Sequence, residues 1–357
     1  MNNKNRTIRI GCVGAGFMGQ LAHIQNYLEV EGCEIVALAE PRTELREKVC
    51  QRYGIKRSYP THKDLLNDTE VEAVVVVVAR PNIGPIAFDC LNAGKHLITE
   101  KPMAATLEQA QRLVEIAERK NSIYSVGYMR RHDEGIQKAK EILDKLLVTK
   151  ELGSIVYVRC HAFQGDSYCN ADGHIVTNEE VPGELEEWPI APDWIPEEMK
   201  NDYAWFLNTF CHDINMLRFL FDVTPKIDFT RLDYKKGRVV VFNFDEFVAV
   251  FEGGNSTSRT WDEYIEIHFE YGSLKIIFPP NLLKNVPARI QLFKENDNHV
   301  QSLPQSNWSW AFRRQAEAFI NDIQKQEKPI TSASDALDDF RLVEDIWRAE
   351  LNRLRKL

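Results

Sequence analysis

Hydrophobic residues in the first third of the chain recur with two alternating spacings. Short runs of valine, isoleucine and leucine predict strands, whereas apolar residues spaced by three or four positions predict helices. The run at residues 71–79 is mostly valine, which predicts a central strand buried on both faces. Because strands and helices alternate, we expect a parallel, doubly wound sheet. The predicted strands are residues 8–13, 34–39, 71–79, 96–99 and 123–126, and the predicted helices are residues 21–29, 42–53, 86–93 and 107–120.

The remainder of the chain has a different order of elements. Several predicted strands follow one another without helices between them, which indicates a mostly antiparallel sheet. A turn-rich stretch with four prolines occupies residues 165–200. The sequence therefore predicts an α/β chain with a dinucleotide-binding type of sheet at residues 1–125 and an α+β domain at residues 126–357. The predicted strands here are residues 154–163, 226–234, 238–251, 260–271, 273–278 and 288–294, and the predicted helices are residues 135–147, 206–221, 308–325 and 333–351.

Composition narrows the class of protein. The 357 residues suffice for two domains, and 44 Lys and Arg against 53 Asp and Glu argue against a nucleic-acid partner. The apolar runs are too short to cross a bilayer, and glycines interrupt the stretch that a signal peptide would need. Seven cysteines without a C-x-x-C spacing argue against a zinc or disulfide framework. We expect a soluble, cytoplasmic enzyme without a metal or membrane partner.

The sequence Gly14-Ala-Gly-Phe-Met-Gly19 follows the first predicted strand and opens a helix. In this context G-x-G-x-x-G binds a dinucleotide, because glycines allow a tight turn and a close approach of the pyrophosphate. The alternative is a purely structural glycine turn. The candidate cofactor contacts of this turn are Gly14, Ala15, Gly16, Phe17, Met18 and Gly19.

An acidic residue, Glu40, ends the second predicted strand. A carboxylate at this place accepts hydrogen bonds from the adenosine ribose and repels a 2′-phosphate, which favours NAD over NADP. Arg42 lies close in sequence and leaves NADP possible. If the glycine turn is structural, Glu40 is simply a solvated carboxylate.

Two further positions indicate proton transfer. Lys101 follows a parallel strand in Thr99-Glu-Lys-Pro102, where the ends of strands line the ligand crevice, although a lone lysine in a turn is often only solvated. Asn208, His212 and Asn215 share one face of a predicted helix. An imidazole there suits the removal of an alcohol proton, and a structural histidine is the alternative.

With these motifs, the chain resembles the glucose–fructose oxidoreductase/inositol dehydrogenase (Gfo/Idh/MocA) family along nearly its whole length. The motifs that carry the resemblance are the glycine turn, Glu100-Lys-Pro102, the Asn208…His212 helix and Val126-Gly-Tyr-Met-Arg-Arg-His-Asp133. The resemblance implies a Rossmann domain followed by a domain with an open, mostly antiparallel sheet. It also implies that a secondary alcohol of a sugar or polyol is oxidised to a ketone, or the reverse.

The resemblance further implies roles for individual residues. Lys101 and His212 carry over as catalytic residues. Asn208, Tyr128, Arg130, Arg131 and Asn215 are candidates for substrate binding, and the alternative for the tyrosine and the two arginines is to stabilise the domain junction. Further candidate cofactor contacts are Arg80, Pro81, Asn82, Glu100 and Lys101.

The sequence departs from the family pattern at two positions. Asn208 stands where the family usually has a substrate-binding aspartate, and Pro85 where many members have a histidine. An asparagine still holds a hydroxyl, but it cannot act as a base.

Some polar and aromatic residues of the turn-rich stretch have several interpretations. Trp188, Trp194 and Trp205 suit the apolar face of a sugar ring, a buried lid anchor or a subunit contact. The acids at residues 179–187 are interpreted as a solvated face. His161, Asp166 and His174 lack a metal-binding spacing.

An NAD-dependent oxidoreductase of a cyclic polyol, sugar or glycoside is the leading hypothesis. The alternatives are an NAD-dependent glycosidase that uses transient oxidation and a non-catalytic dinucleotide-binding regulator. An open sheet leaves one face to bury, which predicts a homodimer or homotetramer.

Overall fold

The computed structural model describes residues 6–165, 171–183, 185–233, 237–254, 260–295 and 300–356. The chain divides into two compact units. The first comprises Met1–Met129, Asp172–Asn208 and Phe312–Phe340, and the second comprises Arg130–Ala171, Thr209–Ala311 and Arg341–Leu357. Two stretches that the sequence analysis placed in the second domain, Asp172–Asn208 and Phe312–Phe340, thus belong to the first unit.

The first unit contains a six-stranded parallel sheet in the order β3-β2-β1-β4-β5-β6. This is the order of a doubly wound dinucleotide-binding sheet, as the alternating pattern predicted. The strands are β1 (Ile8–Val13), β2 (Cys33–Ala39), β3 (Arg57–Tyr59), β4 (Ala73–Val76), β5 (His96–Thr99) and β6 (Tyr124–Val126). The helices are α1 (π-helical Gly19–Ile24 continued by Gln25–Tyr27), α2 (Thr43–Tyr53), α3 (His62–Leu66), α4 (Arg80–Asn92) and α5 (Leu107–Arg119).

The structure corrects the predicted bounds after the valine run. Strand β4 covers only Ala73–Val76, and residues 77–79 lead directly into α4. Helix α4 begins at Arg80 rather than at residue 86, because Pro81 favours the first turn of a helix, where no N–H donor is needed. Pro85, which lies just before the predicted helix at residues 86–93, is therefore inside a helix.

Short elements of the first unit were not predicted. Strand β3 has three residues and helix α3 has five, which is too short for a hydrophobic period to be recognised. Helix α8 (Ala311–Lys325) returns to this unit from late in the chain. Its side chains Ala316, Phe319, Ile320 and Ile323 belong to the same buried core as those of β1 and β2.

The second unit is built on an eight-stranded sheet in the order β14-β13-β12-β11-β7-β10-β9-β8. Among the described strands, β7 and β10 pair in parallel and the other pairs are antiparallel. The strands are β7 (Ile155–Phe163), β8 (Lys226–Asp233), β9 (Gly237–Asn243), β10 (Val248–Gly253), β11 (Asp262–Phe269), β12 (Gly272–Ile277), β13 (Arg289–Lys294) and β14 (Val300–Ser302). The remaining helices are α6 (Glu134–Thr149), α7 (Lys200–Phe221) and α9 (Ala333–Leu354).

One predicted strand is two strands. Residues 238–251 form a hairpin of β9 and β10, and Asp245 has a positive φ of 63° in the turn between them. Asn243 Oδ1 accepts a hydrogen bond from the Asp245 N–H at 2.8 Å. The pattern concealed the turn because Phe244 and Phe247 keep the segment apolar. Strand β14 was also missed, and residue 234 of the predicted strand 226–234 lies outside the described residues.

Among the described residues, no helix combines the length and hydrophobicity needed to cross a membrane.

Candidate functional site

The glycine turn between β1 and α1 leaves open space above its middle glycine. Gly14 has a φ of +94°, and a Cβ atom there would lie 2.1 Å from the Val77 carbonyl oxygen. A Cβ atom on Gly19 would lie 2.6 Å from the Gly14 carbonyl oxygen. In contrast, a Cβ atom on Gly16 would meet no atom within 4 Å. The protein itself requires the first and third glycines, whereas the second leaves room for a group from outside the chain.

A cavity of about 710 Å³ lies beside this turn. Its volume is in the range of ligand pockets. The predicted cofactor contacts among its lining residues are Gly14, Gly16, Phe17, Met18, Gly19, Glu40, Arg42 and Asn82. The lining also includes Thr61, His62 and Lys63, which the sequence analysis did not identify. They belong to the start of α3, a helix too short for its pattern to be recognised.

Glu40 is a charged group held inside the protein at the edge of the cavity. It is only 2% exposed, and its Oε2 accepts a hydrogen bond from the Ala15 N–H at 2.9 Å. The Arg42 guanidinium donates to both oxygens, at 2.7 Å to Oε1 and 3.0 Å to Oε2. This hydrogen bond raises the pKa of Arg42 against the opposing effect of burial. The carboxylate is thus fixed next to the glycine turn, as a contact for a ribose requires.

The turn after β5 is held by a partly buried hydrogen bond between His23 and Glu100. The His23 Nε2 lies 2.7 Å from the Glu100 Oε1, and Glu100 Oε2 accepts from the Lys101 N–H at 3.1 Å. Burial alone would raise the pKa of Glu100, but the hydrogen bond from His23 and the charges of His23 and Lys101 lower it overall. Glu100 therefore orients the Lys101 turn, and it does not line the cavity described above.

Lys101 contacts one of the predicted substrate-binding residues. Its Nζ donates to the Asn208 carbonyl oxygen at 2.7 Å and lies 3.4 Å from the Asn208 Oδ1. An ammonium has three N–H donors, so one remains for a hydroxyl group beyond these two contacts. The structure thus brings together two residues that are 107 positions apart in sequence.

The other predicted substrate residues lie at or beyond the end of the first unit. Tyr128 is buried in the first unit. In the second unit, the Arg131 Nε donates to the Asn215 Oδ1 at 2.8 Å, and both residues are buried. His212 is buried in the same helix α7, one turn after Asn208.

Arg130 belongs to a buried charged cluster of the second unit. Its Nη2 donates to the Glu263 Oε2 at 2.6 Å, and its Nη1 lies 3.6 Å from the Asp213 Oδ1. Burial, and then the neighbouring charge of Glu263, raises the pKa of Asp213 well above its usual value. These contacts favour the structural alternative for Arg130, because its donors face carboxylates inside the protein.

The turn-rich stretch contributes to the cavity in a way that the sequence did not reveal. Val181, Pro182, Leu185 and Glu186 line it. Glu179, which the sequence analysis interpreted as a solvated acid, accepts hydrogen bonds from two N–H groups at the start of α2. In the sequence, only the length of the stretch indicated that it has a role of its own.

Two predicted cofactor contacts form hydrogen bonds with this stretch. The Pro81 carbonyl accepts from the Trp188 N–H at 3.0 Å, and the Asn82 Nδ2 donates to the Glu186 carbonyl at 2.9 Å. Of the two, Asn82 also lines the cavity, whereas Pro81 and Arg80 do not.

The histidines without a metal spacing have other partners. His161 binds the Glu252 and Asp262 carboxylates, and the His174 ring packs edge-on against Phe17 at 4.9 Å. Asp166 lies outside the described residues. Within the described part of the chain, no three His, Cys, Asp or Glu side chains come together as a metal site.

Known proteins match the chain at the family level. The model of an oxidoreductase family with an NAD-binding Rossmann fold matches residues 8–128. The inositol 2-dehydrogenase of Salmonella paratyphi B is 34% identical over 142 residues, which cover 39% of this chain and only 42% of that protein. The inositol 2-dehydrogenase/D-chiro-inositol 3-dehydrogenase of Lacticaseibacillus casei is 31% identical over 359 residues, which cover 98% of this chain and 92% of that protein.

A solved structure shares the fold. Levoglucosan dehydrogenase in complex with NADH and levoglucosan is similar with a TM-score of 0.75 and 17% identity, over 97% of this chain and 98% of that chain. At this identity the similarity concerns the fold.

Proposed function

The chain belongs to the Gfo/Idh/MocA family of oxidoreductases with an NAD-binding Rossmann fold, and we propose that it is an NAD-dependent dehydrogenase of a cyclic polyol, sugar or glycoside. The reaction interconverts a secondary alcohol and a ketone. The observation that carries the proposal is the cavity beside the glycine turn, where open space over Gly16 and the buried Glu40 carboxylate suit a pyrophosphate and a ribose.

The residues of this cavity fit NAD better than NADP. A cofactor held there would have its pyrophosphate over Gly16, near the start of α1, and its adenosine ribose at Glu40. When bound, NAD supplies the hydride acceptor for the reaction. Arg42, the cation beside Glu40, directs two of its N–H groups to the Glu40 carboxylate.

We assign the proton chemistry to Lys101 and His212. The removal of a hydroxyl proton needs a base, and the His212 imidazole is our candidate for it. The Lys101 ammonium, oriented by Asn208 and by the Glu100 turn, donates a hydrogen bond to the reacting oxygen and stabilises negative charge on it. The Asn208 side chain binds a substrate hydroxyl group.

We propose inositol-like polyols as the first substrates to test and place the activity in the cytoplasm. The full-length relative from Lacticaseibacillus casei is named for two inositol dehydrogenase activities. The six described cysteines are free thiols, which is typical of a reducing compartment, and Cys169 lies outside the described residues.

The experiment that tests this function measures absorbance of the reduced cofactor. Purified protein is incubated with NAD and, in turn, with inositols, hexoses and glycosides. We expect NAD reduction with at least one cyclic polyol or sugar, and loss of that reduction in Lys101→Ala. Release of free sugar from a glycoside without net reduction would favour the glycosidase alternative. NAD binding without turnover of any of these compounds would favour the regulator.

A further inference from the structure

Residues 172–183 and 185–189, which we call the cover segment, contact helices α1, α2 and α4 and line part of the cavity. All of them belong to the first unit. The Gln20 side chain forms two hydrogen bonds to the backbone of Ile175, at 2.7 and 3.0 Å. The Arg52 Nη1 donates to the Gly173 carbonyl at 2.6 Å. The cover segment is therefore attached to the Rossmann elements at several points along its length.

Glu179 of the cover segment contacts the N-terminus of helix α2. Its Oε1 accepts from the Glu44 N–H at 3.0 Å and its Oε2 from the Leu45 N–H at 2.8 Å. Arg42, the residue before this helix, makes no side-chain cap of its own. The remote carboxylate thus supplies the anionic cap that the local sequence lacks. The Glu44 N–H bond is the main reason for the lowered pKa of Glu179.

The same place is where a 2′-phosphate would need partners. The adenosine 2′ position of a dinucleotide lies at the end of the second strand, and an arginine beside it accommodates the phosphate of NADP. The N–H groups that open a helix are the other usual partners of a phosphate. In this chain, Glu179 accepts from those N–H groups and Glu40 holds Arg42.

The two carboxylates act on the same cation. The hydrogen bond to Glu40 and the charge of Glu40, followed by the charge of Glu179, raise the pKa of Arg42. A phosphate entering here would meet two negative charges and would have to displace one of them from its donors. A ribose hydroxyl carries no charge and meets no such opposition.

We propose that Glu179 is a specificity-determining residue for the cofactor, whose carboxylate occupies the anion site at the start of α2 and thereby excludes the 2′-phosphate of NADP. This inference rests on the proposed function, since it assumes that NAD binds in the cavity beside Gly16. The role of Glu179 differs from that of Glu40. Glu179 lies 139 residues further along the chain and acts through the cover segment.

Equilibrium binding of NAD and NADP to the full chain tests the proposal. Glu179→Gln keeps the shape of the side chain and removes the charge. We expect it to raise NADP affinity about tenfold, as loss of one charge near a phosphate predicts, with NAD affinity nearly unchanged. Raising the ionic strength should increase NADP affinity of the unaltered protein more than that of the variant, because salt screens the repulsion.

Matched variants distinguish the effect of this one carboxylate from a change in overall charge or a loss of folding. Glu180→Gln removes an exposed charge from the neighbouring position and should change neither affinity. Glu179→Lys should favour NADP more than Glu179→Gln, and thermal unfolding of each variant shows whether α2 stays folded. An unchanged NADP-to-NAD ratio in folded Glu179→Gln and Glu179→Lys overturns the inference alone. Absence of binding of both dinucleotides to the unaltered protein overturns the proposed function.

Discussion

At the scale of single residues, Glu40 is buried and accepts hydrogen bonds from two other residues. The Ala15 N–H and the Arg42 guanidinium compensate for the loss of water around the carboxylate. We predict that Glu40→Ser narrows the difference in affinity between NAD and NADP, because Arg42 becomes available to a phosphate and the ribose loses its acceptor. Dissociation constants for the two cofactors measure this.

The control for Glu40 comes from the strand that precedes it. Glu34→Ser removes an exposed carboxylate from β2 and should leave both dissociation constants unchanged. Tighter binding of NADP than of NAD by the unaltered protein would contradict the assignment of Glu40.

Lys101 and His212 are predicted to act in the chemical step. His212→Ala and Lys101→Ala should each lower turnover by roughly 100-fold or more, because a base or a hydrogen-bond donor is removed from the reacting oxygen. NAD binding should remain nearly intact, since neither residue lines the cavity beside the glycine turn. Steady-state kinetics and NAD titration of the variants measure the two effects.

Asn208→Ala is the variant to compare with Lys101→Ala and His212→Ala. We expect it to act more on the apparent substrate affinity than on turnover, because its side chain binds a hydroxyl and the Lys101 Nζ keeps the Asn208 backbone carbonyl as a partner. Near-normal turnover of His212→Ala across the pH range would show that another group is the base.

Residue types and spacing identified candidate site residues best where the course of the backbone determines their position. The glycine turn and Glu40 meet at one cavity because they sit at the ends of neighbouring parallel strands. Glu179 was missed because its partners on α2 are 134 and 135 residues away in sequence and no local pattern records such a contact. For the same reason the pattern did not show that Arg131 pairs with Asn215.

At the scale of elements, the indole ring of Trp188 packs the cover segment against helix α4. Trp188 packs against Gly84 of α4 so closely that a Cβ atom on Gly84 would lie 2.3 Å from the Trp188 Cε3. The ring also lies 6.2 Å from that of Phe88, and the Arg112 guanidinium lies 5.4 Å above it. These contacts favour the lid-anchor interpretation of Trp188 over a sugar-stacking role.

We predict that loosening this anchor accelerates the release of NAD. Trp188→Ala removes the ring, and Gly84→Ala displaces it even though alanine improves helix propensity. Each should raise the NAD dissociation rate at least about tenfold, because changes at a binding surface act mainly on dissociation. Stopped-flow displacement of bound NAD measures the rate.

Val176→Ala is the matched control on the cover segment. Val176 is 68% exposed, so its truncation should leave the dissociation rate unchanged. If Trp188→Ala releases NAD as slowly as this control, the cover segment does not hold the cofactor.

Element prediction succeeded where the hydrophobic period extends over several turns or residues. Strand β5 has the predicted bounds and α5 ends one residue before its predicted end, because each has a clear pattern and α5 has a capping threonine before it. The hairpin of β9 and β10 was predicted as one strand, since the turn contains aromatic residues in place of the usual glycine or asparagine. Local periodicity predicts that one face of α8 is buried, but it does not say in which core. The packing of α8 in the core of the first unit could therefore not be predicted from the sequence.

At the scale of the whole molecule, the second unit has a sheet with two different faces. Burial alternates along β9, β10 and β11, so that one face is buried and the other half-exposed. On the buried face, Phe251 packs edge-on against Phe210 of α7 at 4.9 Å. The half-exposed face carries aromatic, valine and charged side chains, namely Tyr157, Arg159, His161, Tyr264, Val241, Val250 and Glu252.

We predict that the protein is a homodimer or homotetramer assembled through this half-exposed face. Aromatic and aliphatic side chains on one broad surface are typical of subunit interfaces, and pairing two such faces buries them. Val241→Asp places a charge between Val250 and Phe229 on this face and should dissociate the oligomer, because a buried charge without a partner is strongly unfavourable. Val148→Asp, at a site that is 84% exposed at the end of α6, is the control and should leave assembly unchanged. Light scattering at micromolar concentration measures the mass, and a monomeric unaltered protein would contradict the prediction.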